Sequence, residues 1–257
     1  MSKRNTQQRR HTIITELNQY GSVSVEELAK KFNTSEVTIR KDLAVLETSG
    51  LLLRRYGGAI ALPQEILSND VLENTKKLSK RKLIIANKAS SLIRDHNRII
   101  IDSGRTTSAL VSALSEKQGL LVMTNSLLIA QEVQSLENEP TLLMTGGTWD
   151  PHSEAFQGQV AEQVLRSYDF DQLFIGADGI DINRGTTTFN ELIGLSRVMA
   201  EVSREVIVMV ESEKIGRKIP NLELCWQQIT TLVTDNNLSK VVKKQLIEQG
   251  VNLIIAN

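Results

Sequence analysis

The sequence has a single cysteine, Cys225, among its 257 residues. One thiol cannot form an intramolecular disulfide framework and fits a reducing compartment. Histidine is almost as scarce, and His11, His96 and His152 are scattered without metal-ligand spacing, so neither a metal nor a cofactor is expected. No apolar run approaches the roughly 20 residues of a membrane span. The opening Met1–Arg10 stretch has no apolar signal region. Neither secretion nor membrane insertion is expected, and a cytoplasmic location is. Net charge is also lacking, since 30 basic side chains balance 30 acidic ones. That balance hides a division. Residues 1–82 hold 15 basic and 9 acidic side chains, a surplus of six, whereas residues 83–257 hold 15 and 21, a deficit of six. A basic head on an acidic body points to a polyanionic partner for the head alone.

In the head, apolar residues recur at helical spacing in Ile13, Leu17 and Tyr20, and Gly21 stops the pattern. Ser24-Val25-Glu26-Glu27 is a capping box, with Val23 and Leu28 placed to staple the helix start. Val25, Leu28, Ala29 and Phe32 continue one apolar face. Asn33-Thr34-Ser35 then supplies a turn and a cap for a third helix from about Ser35 to Thr48. Three short helices, the last two joined by a tight turn, describe a helix-turn-helix. On the third helix Ile39, Leu43 and Leu46 face the core. At about 100° per residue, Val37, Lys41 and Thr48 point outward, flanked by Thr34, Thr38 and Arg40. An outward valine suits a thymine methyl in a major groove, Thr38 and Lys41 suit base edges or phosphates, and Arg40 suits the backbone. The competing reading is an ordinary trihelical core with a solvated basic face. The whole-domain pattern favours double-stranded DNA, with Thr34, Ser35, Val37, Thr38, Arg40 and Lys41 as contacts.

Leu51 to Ala59 reads as an extended hairpin with a glycine turn, which would lay Arg54, Arg55 and Tyr56 against phosphates or a minor groove. A plain surface hairpin is the alternative. Val25-Glu26-Glu27-Leu28-Ala29, then Val37-Thr38-Ile39-Arg40-Lys41-Asp42-Leu43, then Leu46-Glu47-Thr48-Ser49-Gly50-Leu51 and Arg55-Tyr56-Gly57-Gly58-Ala59 closely resemble the DeoR family of bacterial transcriptional regulators. The resemblance implies a winged helix-turn-helix over residues 1–60 that binds operator DNA.

Residues 61–75 contain Pro63 among polar residues without apolar periodicity, and read as a linker. A basic helix follows, where Lys76, Lys77, Lys80, Arg81 and Lys82 precede the apolar Leu78, Ile85, Ala89 and Leu92. These charges either extend a DNA footprint or form a solvated face. Beyond them, seven buried strands are expected at Arg98–Asp102, Leu120–Met123, Thr141–Met144, Gln172–Ile175, Val206–Val210, Thr231–Thr234 and Asn252–Ile255. Helices are expected at Thr106–Leu114, Leu127–Leu136, Gln159–Tyr168 and Leu192–Val202. The alternation predicts an α/β domain over 76–257, Rossmann-like, with a mostly parallel sheet covered on both faces.

Ligands of such sheets bind beyond the carboxyl ends of the strands. There the chain carries Asp102-Ser103-Gly104-Arg105-Thr106-Thr107, then Thr124-Asn125-Ser126, then Gly146-Gly147, then Asp178 and Asp181, then Thr187 and Glu191, and finally Lys214. Each loop alone is a common cap or turn. Together, hydroxyls and glycines beside Arg105 suit a phosphate, and the carboxylates suit a polyhydroxy body. Asp178 and Asp181 also fit turns, and Lys214 a surface position. Trp149, Trp226 and His152 read as packing or rim residues.

The resemblance to the DeoR family extends over this half, where the same loops look like the family's effector-binding domain. It implies a fold similar to ribose-5-phosphate isomerase and CoA-transferase proteins, and an effector that is a phosphorylated sugar, sugar alcohol or amino sugar. The chain looks most like repressors of sorbitol (glucitol), galactitol and amino-sugar operons, with the sorbitol type favoured. Two departures stand out. Arg105 replaces a small hydroxyl residue, and Glu211-Ser212-Glu213-Lys214-Ile215-Gly216-Arg217 replaces Asp-Ser-Ser-Lys-Phe-Gly-Arg. The expected protein is a homodimeric or homotetrameric repressor released from DNA by its effector. A sugar-phosphate isomerase carrying a DNA-binding head is the alternative, because Asp178, Asp181, Glu191 and Lys214 also suit acid–base chemistry. Nothing in the residues separates a repressor from an activator, and the polar loops argue against a purely architectural DNA binder.

Overall fold

The structure, a computed structural model, describes residues 3–48, 52–55, 57–60, 79–151, 153–188, 193–217, 219 and 221–257. The expected linker, Tyr56, Lys76, Lys77, Leu78, His152 and Glu191 lie outside the described residues. The chain divides into two compact units, residues 1–76 and 77–257. Among the described residues no helix is long and apolar enough to cross a membrane.

The first unit runs α1 (Lys3–Tyr20), β1 (Ser22–Ser24), α2 (Val25–Lys31), α3 (Glu36–Thr48), β2 (Leu53–Arg55) and β3 (Gly58–Ile60). The Ser24 hydroxyl accepts the Glu27 amide at 3.1 Å, as the capping box requires. Ile13 and Leu17 of α1 meet Val25 and Leu28 of α2 and Ile39, Leu43 and Leu46 of α3 in one core. Each such side chain contributes about 1.5–3 kcal/mol by leaving water. Tyr20 departs from the expected pattern and is 69 % exposed. It ends α1, where Gly21 at φ 74° turns the chain into β1. The wing is a three-stranded antiparallel sheet, because β1 joins the hairpin and gives the order β1-β3-β2.

The second unit opens with α4 (Lys80–Ser90), β4 (Arg98–Ile101), α5 (Arg105–Ser108), β5 (Leu121–Thr124), α6 (Leu127–Gln134) and β6 (Thr141–Met144). It continues through β7 (Thr148–Asp150), β8 (Ala155–Gln157), α7 (Gln159–Leu165), β9 (Phe170–Ile175), β10 (Gly179–Asp181), β11 (Gly185–Thr188) and α8 (Gly194–Glu201). The last elements are β12 (Ser203–Met209), β13 (Asn221–Cys225), β14 (Thr231–Asp235), α9 (Lys240–Glu248) and β15 (Asn252–Ala256). The seven expected strands form one sheet in the order β15-β14-β12-β9-β4-β5-β6. Every pairing in it is parallel.

Side chains alternate between its faces with period two. Ile99, Ile101, Val122, Phe174, Ile207 and Val233 pack with Ile85 and Ala89 of α4 and with Ile129 and Val133 of α6. Their neighbours Ile100, Met123, Leu173, Val206, Val208 and Leu232 pack on the other face with α7, α8 and α9. The helix expected at Thr106–Leu114 is only a short α-turn followed by a 3-10 segment, Val111–Glu116. There Ser112 and Ser115 donate back to the carbonyls of Ala109 and Ser112, a competition that disfavours a regular α-helix. Outside the large sheet stand an antiparallel sheet β10-β11-β13 and a hairpin β7-β8, neither expected from the sequence.

Candidate functional site

In the first unit, α3 presents the expected outward side. Val37 is 60 % exposed, and Arg40 and Lys41 lie beside it in the open. The Ser35 hydroxyl accepts the Thr38 amide at 3.2 Å and shares a hydrogen bond with the Thr38 hydroxyl at 2.9 Å. Ser35 is therefore the cap that starts α3, and Thr34 precedes it half-buried. Arg40 donates to Glu36 at 2.7 Å, and Arg54 sits 3.6 Å from Glu47. Exposed pairs of this kind are worth little, and a phosphate offers either arginine a stronger bidentate partner. Arg55 belongs to β2 with Arg54. Asp42 of α3 turns inward and is 2 % exposed. Its carboxylate accepts from Arg9 at 2.6 Å and Arg10 at 2.7 Å. Part of the basic surplus of the head thus locks α1 to the helix that carries Lys41.

In the second unit the strand order decides where a ligand can sit. From β4 the chain steps outward through β5 to β6, and from β9 it steps the other way through β12 and β14 to β15. The order reverses between the neighbours β4 and β9, and a crevice opens beyond the carboxyl ends at such a reversal. Asp102 follows β4 and Asp178 follows β9. Asn125, following β5, donates from Nδ2 to Asp102 at 2.8 Å and accepts the Ser103 amide on Oδ1 at 2.9 Å. Asp178 accepts from the Thr188 hydroxyl at 2.7 Å. Lys214 donates from Nζ to the Ala177 carbonyl at 2.8 Å, beside Asp178. Gly104, at φ 151°, lies where a Cβ would meet the Thr107 hydroxyl at 3.1 Å, so the loop to α5 can turn this tightly only with glycine. Arg105 is exposed at the start of α5, while Thr106 and Thr107 are buried.

One carboxylate of the crevice was not expected. Glu223 on β13 accepts from Ser196 of α8 at 2.7 Å. Burial pushes its carboxyl up to about 7, against the Ser196 and Thr186 hydroxyls, and the charges of Asp102 and Asp178 add to the rise. Burial likewise pushes Asp102 up to about 6, opposed by Asn125 and the Ser103 amide, with Asp178 adding to it. Burial holds the Lys214 ammonium below its usual range, while Asp178 and Glu211 support its charge. The mutual influence of Asp102, Asp178 and Glu223 places three carboxyl groups and one lysine around the reversal point. The available sequence signal for Glu223 was an acidic residue between Leu222 and Leu224, in a run otherwise fit for burial.

Four expected residues stand apart from this cluster. Asp181 lies at the closed end of the β10–β11 hairpin, opposite Gly185. There its carboxylate accepts from Arg184 at 2.8 Å and from the Asn183 amide at 3.0 Å. Thr187 is one residue out of phase: the pleat of β11 sends Thr186 and Thr188 to one side and Thr187 to the other, where its hydroxyl meets the Arg217 carbonyl at 3.5 Å. Gly146 and Gly147 follow the edge strand β6, two strand spacings or about 10 Å from β4. A Cβ on Gly147 would meet the Gln157 carbonyl at 2.5 Å, so this glycine, at φ 106°, serves the close passage of the β7-β8 hairpin. That hairpin is tied to the crevice rim by the Phe156 amide, which donates to the Asn125 carbonyl at 2.8 Å. Thr124 and Ser126 are buried, accepting the Ser126 and Ile129 amides at the start of α6.

Comparison with known proteins agrees with this two-part reading. Residues 9–65 match the DeoR-like helix-turn-helix domain, and residues 77–236 match the DeoR C-terminal sensor domain. The chain is 36 % identical over 253 residues to a putative aga operon transcriptional repressor of Escherichia coli O157:H7, covering 97 % of this chain and 94 % of that one. It is 28 % identical over 250 residues to the transcriptional regulator GolR of Listeria innocua, covering 97 % and 98 %. Among solved structures, ribose 5-phosphate isomerase A of Methanocaldococcus jannaschii matches 53 % of this chain and 54 % of its own, at 19 % identity and a TM-score of 0.40. With a helix-turn-helix domain at one end and a sensor domain at the other, the chain belongs to the DeoR family of transcriptional regulators.

Proposed function

We propose that this regulator represses a sugar or sugar-alcohol utilisation operon and leaves its operator when a phosphorylated sugar, sugar alcohol or amino sugar binds beyond β4 and β9. The head, residues 1–60, lays α3 in the major groove. Val37, Thr38 and Lys41 meet base edges, and Thr34, Ser35, Arg40, Arg54, Arg55 and Tyr56 meet the backbone. A homodimer or homotetramer presents two heads to a pseudo-palindromic site. Residues 61–75 link the head to the sensor, residues 76–257.

The observation that carries the sensor reading is the convergence of Asp102, Asn125, Asp178, Thr188 and Lys214 at the reversal of strand order. Carboxylates accept from ligand hydroxyls, Lys214 supplies a cation, and the 103–107 loop with Arg105 receives the phosphate. Glu191, three residues after Thr188 in the chain, is a further proposed contact on the grounds of its sequence alone.

Calorimetry with glucitol 6-phosphate, galactitol 1-phosphate and galactosamine 6-phosphate, each beside its dephosphorylated form, tests the reading. Binding of at least one phosphate, weakened tenfold or more by Asp178→Asn and by loss of the phosphate, is expected. Binding of none of them overturns the sensor assignment. Catalytic turnover of a sugar phosphate, abolished by the same substitution, would replace it with the enzyme reading.

A further inference from the structure

The turn that carries Lys214 has a second attachment. At its base, the Ser212 amide and hydroxyl donate to Asp235 at 2.9 and 2.7 Å, and the Lys214 amide donates to the Glu211 carbonyl at 2.9 Å. On the crevice side, Lys214 Nζ holds the Ala177 carbonyl. The flanking carboxylates also reach α4. Glu211 accepts from the Ser79 hydroxyl at 3.2 Å and sits 3.5 Å from Lys82 Nζ, and Glu213 accepts from Arg81 at 3.3 Å. Ser79 is also the cap of α4, its hydroxyl accepting the Lys82 amide at 3.3 Å. The rest of α4 is fixed to the sheet by Ile85, Ala86 and Ala89. Its first turn is therefore held by polar contacts to the lysine-bearing turn, and this first turn opens the described part of the second unit. The basic residues Arg81 and Lys82 have carboxylate partners inside their own domain.

We propose that Glu211 and Glu213 are positioning residues that couple the crevice to the entrance of the sensor domain: a ligand anion that draws Lys214 from the Ala177 carbonyl shifts the Ser212–Lys214 turn, and the two carboxylates carry that shift to Ser79, Arg81 and Lys82. The proposal rests on the crevice being the effector site. A ligand can move an equilibrium only through contacts that differ between two arrangements, and this turn has one partner set in the crevice and another at α4. The Arg81–Glu213 pair is part-exposed and suited to exchange, since breaking such a pair costs little against water.

The test uses the full chain with two readouts. In ligand-free protein, hydrogen exchange of Ala177 and Asp178 amides is followed in Arg81→Ala/Lys82→Met. Exchange at least fivefold faster than in the unmodified chain is expected, and unchanged exchange overturns the coupling whatever the ligand proves to be. In the second readout, glucitol 6-phosphate and galactosamine 6-phosphate are the probes, and Glu213→Gln is compared with the unmodified chain. The variant is expected to bind the probe within threefold of normal affinity while its operator release falls from tenfold or more to under threefold. The charge exchange Arg81→Glu with Glu213→Arg is expected to restore release. Normal release in Glu213→Gln overturns the proposal. Failure of the unmodified chain to bind either probe counts against the effector site alone, and the exchange readout still decides the coupling.

Discussion

The DNA-binding head and the sensor domain expose their chemistry in opposite ways. In the head, the candidate contacts from Thr34 to Lys41 come from eight consecutive residues on the convex side of one helix and its turn. In the sensor, Asp102, Asn125, Asp178, Thr188, Lys214 and Glu223 come from six separate segments gathered near the reversal of strand order. A surface read by a long polymer can be local, because the partner supplies the reach. A pocket that must enclose a small molecule needs side chains from several strands, and only the sheet order brings them together.

The treatment of charge sharpens the contrast. Arg40 and Arg54 carry exposed carboxylate partners, whereas Asp42, with Arg9 and Arg10, is internal bracing. The largest expected effect tests that bracing. Asp42→Ala leaves Arg9 buried without its carboxylate and is expected to destabilise the head by about 3 kcal/mol. Thermal unfolding should then show the head melting early and the sensor unmoved. A single unshifted transition would show that the pair is not needed.

Next in size, Asp178→Asn or Lys214→Met is expected to abolish the effector response while the ligand-free protein keeps its operator affinity within twofold, as read by titration with labelled DNA. Parallel loss of DNA binding would erase the separation between the two regions. Lys41→Ala and Arg40→Ala are each expected to weaken operator binding by about 1–2 kcal/mol, roughly tenfold, at fixed salt. Normal calorimetric binding to the sensor should accompany that loss, and unchanged DNA affinity in both variants would move the docking face elsewhere.

A smaller effect concerns Glu223, whose carboxyl moves from an ordinary 4.5 up to about 7 on folding. The folded protein binds this proton more tightly than the unfolded chain does, so the contribution of this group to stability is fully present below about pH 4.5 and is lost as the pH rises through about 7. Removing the titration by Glu223→Gln should therefore raise the unfolding free energy more at pH 8 than at pH 5, by an amount on the order of 1–2 kcal/mol, read by denaturant titration. An equal shift at both pH values would contradict the assigned burial. Smallest of all, Arg105→Ser is expected to change affinity for the phosphate group of an effector by a few-fold, with no change in binding of the dephosphorylated form.

The fold was largely legible because its signals are local. Each of the seven parallel strands is an apolar run, and the outward Val37 follows from the spacing of Ile39, Leu43 and Leu46. The failures share a physical cause. Strands β10 and β11, Gly179–Asp181 and Gly185–Thr188, are glycine- and hydroxyl-rich and show no apolar alternation, so their pairing was invisible. Without that pairing, Thr187 and Thr188 could not be told apart, since a one-residue change of phase reverses the face. Asp181 looked like a partner of Asp178 until the hairpin placed it at the closed end. Glu223 escaped notice because its neighbours in the crevice are Ser196, Thr186, Asp102 and Asp178, none adjacent in sequence. Glu211 and Glu213 read as departures near Lys214, and their partners Ser79, Arg81 and Lys82 lie some 130 residues earlier.

The central claim is that occupancy of the crevice governs the hold of the head on DNA. Fluorescence anisotropy of a labelled duplex from upstream of the gene, at fixed salt, measures it directly, with the same sugar and polyol phosphates added to the full chain and to Asp178→Asn. The account predicts that at least one phosphate raises the dissociation constant tenfold or more in the unmodified chain and leaves the variant bound. Specific DNA binding that no phosphate alters, or release that persists in Asp178→Asn, would contradict it.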